Sequence, residues 1–135
     1  MTDAKLAEHD NLFRNAIDAL EDSYEFMIAY AAQGRRQETD DEGPSKIRHS
    51  ISTFKESLET MASSDFLSEG SEEAFWNRFV EDLVVVKSAL ELIEAQKSIS
   101  SDMVDNTNAL LCMRSLLTSI FFIDQVLLPP RESDT

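Results

Sequence analysis

Two histidines, one cysteine and a scatter of carboxylates are the residues of this chain that could carry chemistry. A di-metal site inside a helical bundle needs Glu-x-x-His pairs on facing helices, and the sequence has none. Zinc sites on helices use two histidines four apart, and neither His9 nor His49 has such a partner. His49 falls opposite the apolar positions of its own segment, which places it on a solvent face. Phosphotransfer bundles carry their accepting histidine in that situation, with Lys at the third position after it and then Gly. Ser52 and Thr53 hold those places here. The motif is not met, so the expectation for His49, as for His9, is an ordinary surface histidine. A phosphotransfer-type bundle using His49 remains an alternative.

Cys112 is the single cysteine, which excludes an intrachain disulfide and any multi-cysteine metal site. It lies in an apolar run and reads as a structural thiol. Asp10 and Asp124 are the carboxylates best placed to approach a core. Two carboxylates divide acid and base roles only where their surroundings separate their pKa values, and neither a nucleophile nor a metal ligand accompanies them. They read as boundary positions paired with Arg14 or Arg131. Three glycines cannot build a phosphate loop, a dinucleotide-binding turn or a nucleophile elbow. Arg35, Arg36, Lys46 and Arg48 gather near the start of the second helix, where a helix N-terminus and cations can hold an anion. Glu38, Asp40, Asp41 and Glu42 share that loop and can neutralise them. No cofactor and no metal follow from these residues, and the chain reads as non-enzymatic.

The totals narrow the partners. The chain has 135 residues and 42% apolar content, enough for one compact domain with a core. Acidic residues outnumber basic ones by 26 to 12, for a formal charge of −14. Direct nucleic-acid binding is therefore not expected, because phosphate contacts need concentrated Lys and Arg. An acidic decoy that occupies a basic protein's nucleic-acid site is a further alternative. The N-terminus, MTDAKLAEHD, lacks a basic stretch followed by an apolar one, so no signal peptide is expected. The apolar C-terminal segment carries Arg114 and Asp124, so a buried helix is expected rather than a membrane span, and the location expected is cytoplasmic.

The elements that must position these residues are helices. Few Gly and Pro, with many Ala, Leu, Glu and Met, favour an all-α chain. Leu6, Asp10, Phe13, Ile17, Leu20, Tyr24, Met27 and Ala31 alternate steps of four and three, a helical seam over 3–33 that stops at Gly34. Residues 35–45, with Gly43-Pro44, read as an exposed loop. Ile47, Ile51, Phe54, Leu58 and Met61 mark a second helix over 45–62. Residues 63–70 form the next connection, with Phe66 and Leu67 expected to plug the end of the core. Trp76, Phe79, Leu83, Val86, Leu90 and Ile93, widened by Val84 and Val85, mark a third helix over 71–98 capped by Ser71. The fourth spans 102–128, capped by Ser101 or Asp102. Its main seam is Ala109, Met113, Leu116, Ile120, Ile123 and Leu127, with Leu110, Leu117, Phe121 and Leu128 alongside. The fold expected is an antiparallel up-down-up-down four-helix bundle over 1–130, with a short disordered tail over 131–135.

That topology brings Phe13, Phe66, Phe75, Trp76, Phe79, Phe121 and Phe122 to one end. Phe13, Trp76, Phe79, Leu116 and Ile120 could there line a pocket for a small apolar ligand, the runner-up function. The leading expectation is a small interaction protein, an adaptor, assembly factor or regulator acting through protein–protein contacts, with a homodimer as its form. It rests on the last helix, where Leu111, Phe122 and Val126 exceed what three neighbouring helices account for; with Phe121 they form the candidate interface.

Overall fold

The computed structural model describes residues 3–39, 45–64 and 73–130, with side chains from residue 10 onward. The described chain is all-helical: α1 (Asp3–Ala31), α2 (Lys46–Ala62), α3 (Glu73–Glu94), α4 (Ser101–Asn108) and α5 (Leu111–Val126). No strand occurs among the described residues. The expectations for Phe66 and Leu67, for the Ser71 cap and for the 131–135 tail lie outside them.

The seams explain the core. Phe13, Ile17, Leu20 and Met27 of α1 are buried, as are all five seam residues of α2 and all six of α3. Gly34 takes φ +66°, the left-handed conformation that ends a helix without Cβ strain. Ser45 caps α2, its hydroxyl accepting from the Arg48 N–H.

Three readings need correction. The first is the fourth helix, which is two. α4 and α5 are bent by 59° at Ala109-Leu110. The cause is local: Asp105, Asn106, Thr107 and Asn108 are weak helix formers in a row. Thr107 Oγ1 donates back to the Met103 carbonyl at 2.8 Å, a bond that bends helices. Leu110 N–H bonds to Thr107 O, tightening the last turn of α4. The break leaves the expected seam residue Ala109 exposed, and at the far end Leu128 is buried where Leu127 was expected. The cap of α4 is Ser100, accepting from Met103 N–H. Of the two expected caps, Asp102 lies in the first turn and Ser101 donates to the Tyr30 carbonyl at 2.7 Å.

The second correction is the end of α3, at Glu94 rather than Ser98. Arg48 takes over as a tertiary cap, donating to the carbonyls of Glu94 and Gln96, both at 2.8 Å. The third is the α3 stripe. Val84 and Val85 are exposed, and Asp82 is buried in their place.

Side-chain contacts identify the neighbours. Tyr24 of α1 meets Phe54 of α2, with ring centroids 6.3 Å apart. Lys55 and Lys87 form ion pairs between α2 and α3, with Glu94 at 2.6 Å and Glu59 at 3.2 Å. Ser115 of α5 donates to Asp82 of α3 at 2.7 Å. Arg14 of α1 meets Asp124 of α5 at 3.4 Å and also donates to the Pro129 carbonyl.

Candidate functional site

Three places gather the residues singled out from the sequence. The first is the outer side of α5. At about 100° per residue, the buried side of this helix is made by Met113, Leu116, Leu117, Ile120 and Ile123. Leu111, Arg114, Thr118, Phe121, Phe122, Gln125 and Val126 are exposed. The exposure of the four apolar ones is large: Leu111 79%, Phe121 44%, Phe122 47% and Val126 59%. Those are the four residues of the candidate interface named from the sequence. Phe122 leans on Phe75 of α3, with centroids 5.4 Å apart.

Beside this face sits a buried carboxylate. The Asp82 side chain is only 6% exposed and its cation, Arg78, is 66% exposed, at 3.3 Å. Ser115 completes its hydrogen bonding from α5. Periodicity assigned Asp82 to neither stripe. The signal that could have found it is its place at i+3 from Phe79 and i−4 from Val86, inside the buried arc of α3.

The second place is the aromatic end. Phe122, Phe75, Trp76 and Phe79 form a chain of ring contacts at 5.4, 5.1 and 6.2 Å. Phe13, Trp76, Phe79, Leu116 and Ile120 are all buried in the main core cluster. The cavity described below and a shallow one on the α1–α2 surface, lined by Leu12, Ala16 and Thr53, touch none of the five.

The third place is the junction that joins the α1–α2 loop to the α3–α4 loop. Glu38, placed in an exposed loop by composition, has a side chain only 5% exposed. Its carboxylate accepts from Arg48 Nε at 2.9 Å and Nη2 at 2.8 Å, from Ser45 Oγ at 2.6 Å and from the Ile99 N–H at 2.6 Å. Burial alone would push this carboxyl's pKa up, but the bonds from Arg48, Ser45 and Ile99 outweigh it and hold it below the ordinary glutamate value. Nearby, Tyr30 Oη donates to the Ile99 carbonyl at 2.6 Å. Burial first, and then the Glu38 charge, raise the tyrosine's pKa.

Arg35, Arg36, Lys46 and Arg48 differ in their partners. Arg48 is committed to Glu38 and two carbonyls. Arg35 lies over the Tyr30 ring, 5.8 Å from its centroid, and donates to Gln33 and Thr39. Arg36 and Lys46 are exposed. Arg35 and Lys46 share the rim of a cavity of about 260 Å³ with Phe26, Tyr30 and Ile47, and Glu38 lines the same space.

The remaining chemical candidates stay apart. His49 is exposed on α2, and Cys112 is half-buried at the start of α5. Asp124 is engaged by Arg14, and the side chain of His9 lies outside the described ones. No group of three or more metal-ligating residues occurs among the described residues. Among them, no single helix is long and apolar enough to cross a membrane; the bent pair α4–α5 passes that test by length and composition alone. Comparison with protein-family models, with curated proteins and with solved structures gives no match.

Proposed function

We propose that the chain is a non-enzymatic interaction protein, acting through protein–protein contacts as a homodimer. We propose with it an up-down-up-down bundle in which α4 and α5 together form a broken fourth member. The pairs Tyr24–Phe54, Lys87–Glu59, Ser115–Asp82 and Arg14–Asp124 support that order, each joining helices that would be neighbours in it.

The observation that carries the functional reading is the outer side of α5. Four large apolar side chains face water on one 16-residue helix, and exposed apolar groups gathered on one element mark contact surfaces more often than scattered ones do. The chemistry of the other places supports the same reading. The carboxylates nearest the core are held by arginines, and the cations near α2 are divided between internal bonds and solvent.

Sedimentation velocity over a wide concentration series tests the proposal. A concentration-dependent shift from monomer to dimer is the expected result. A single monomeric species across the whole series counts against it.

A further inference from the structure

Resting on that homodimer reading, we infer that the contact between copies is an antiparallel pairing of α5 with its own copy, about a twofold axis passing near Thr118. The distribution of side-chain size along the helix is the first argument. Leu111 stands at one end of the exposed stripe and Phe122 and Val126 at the other; Thr118 is exposed in the middle, with the half-buried Ser115 and Ser119 beside it. A twofold pairing requires a surface that complements itself. Turning this stripe about Thr118 brings Leu111 of one copy against Phe122 and Val126 of the other. The small central residues let the two helices approach closely.

The charge pattern makes this face the one where a second copy fits. The chain carries −14, so two copies repel over most of their surface. The exposed positions of α5 contain no acid; Arg114 is their single charge. The antiparallel turn carries Arg114 to the carbonyl end of the other α5, whose last turn has no basic residue of its own. A cation there complements the helix dipole. Pairing at this face also covers the flank where Arg78 stands two-thirds exposed beside the buried Asp82, shielding that ion pair from water.

The area fits. Leu111, Phe121, Phe122 and Val126 leave on the order of 400 Å² of side-chain surface in water, within the range of the largest patch on a typical monomer. With Arg114, Thr118 and Gln125 as rim, the face approaches the roughly 800 Å² per partner of a stable association.

The test uses the full chain. Thr118→Cys in a Cys112→Ser background is treated with a short thiol-to-thiol cross-linker, beside Ile28→Cys, an exposed position on α1. Leu111→Glu and Arg114→Glu, both at exposed positions, are compared with Ile28→Glu by sedimentation, after circular dichroism confirms that each is folded. The inference expects a cross-linked dimer from Thr118→Cys and little from Ile28→Cys. It expects dimerisation at least about tenfold weaker in Leu111→Glu and Arg114→Glu, and unchanged in Ile28→Glu. A dimer indifferent to these variants, with no cross-link at Thr118, overturns the α5 pairing and leaves the homodimer reading standing. A strict monomer overturns both. A monomer in buffer whose wild-type form floats with phosphatidylcholine vesicles, while Leu111→Glu does not, overturns the second copy as occupant in favour of a lipid surface.

Discussion

Replacing Glu38 with alanine is the most direct probe of what holds this fold together. The carboxylate is 5% exposed, and its Arg48 partner is 28% exposed. Breaking a buried pair from one side costs about 3–5 kcal/mol, because the remaining charge stays sequestered without its counterion. Two features of the site shift that figure in opposite directions. Arg48 keeps its bonds to the Glu94 and Gln96 carbonyls and some access to water, which lowers the loss. The Ile99 N–H and the Ser45 hydroxyl lose their acceptor as well, which raises it. The expected net loss is about 3 kcal/mol, a large share of the roughly 5–15 kcal/mol typical of a domain. For a chain of this length it corresponds to a melting point lower by about 10 °C. Urea unfolding followed by circular dichroism measures it. A double-mutant cycle with Arg48→Ala should return a coupling above about 1 kcal/mol. Glu59→Ala is the control: its pair with Lys87 is 54% and 37% exposed and should be worth less than about 1 kcal/mol. If Glu38→Ala costs no more than Glu59→Ala, the junction is not a buried clamp and the reasoning fails.

Other expectations follow from the same structure. Because the Glu38 carboxyl is held below its ordinary value, its contribution to stability is complete above the unfolded pKa of about 4.3 and is lost as pH falls through the lower, folded one. Urea midpoints should therefore drop more steeply with acid in the wild type than in Glu38→Gln; parallel curves would contradict this. Lys55 has the opposite sign. Its bond to Glu94 raises its pKa, so its contribution is full below the ordinary lysine value and fades as pH rises through the raised one, and Lys55→Met should flatten the alkaline limb. Leu116→Asp places a carboxylate in a fully buried position and should cost several kcal/mol, enough to unfold the chain; a native circular dichroism spectrum with a cooperative melt would refute the core assignment. Gly34→Ala should cost about 1 kcal/mol in urea unfolding, all of it backbone strain, since an added Cβ at φ +66° meets nothing within 4 Å.

The helices were legible because their seams are local. Steps of three and four through Ile47–Met61 and Trp76–Ile93 name the buried apolar residues of α2 and α3 without any knowledge of what covers them. What failed to show depended on groups far apart in sequence. Glu38 sits in a polar, acidic run, and Arg48 and Ile99, ten and sixty-one residues away, join Ser45 in converting it into a buried anchor. The end of α3 followed suit, since Arg48 supplies the cap that its own sequence lacks. The break between α4 and α5 had a local signal that the apolar run beside it outweighed. The four residues Asp105–Asn108 are poor helix formers, and they weaken the continuous reading without any Gly or Pro to mark the place.

That break connects the fold to the proposed contact. α4 ties to the end of α1, through Ser101 to the Tyr30 carbonyl and through Asn108 Nδ2 to the Met27 carbonyl at 3.5 Å. α5 leans on α3, through Ser115 to Asp82 and Phe122 to Phe75, and meets α1 through Asp124 and Arg14. The 59° bend turns α5 away from the line of α4. The cost falls at the knuckle. Leu110 and Leu111 are thrown outward, and Leu110 gives α5 no side-chain cap, so the first turn of α5 offers unpaired N–H groups beside the most exposed leucine of the surface. A second α5 laid antiparallel sets its negative dipole end beside that positive one. The feature that departs from a regular four-helix chain is thus the one that supplies the surface with both its apolar end and its polar complement.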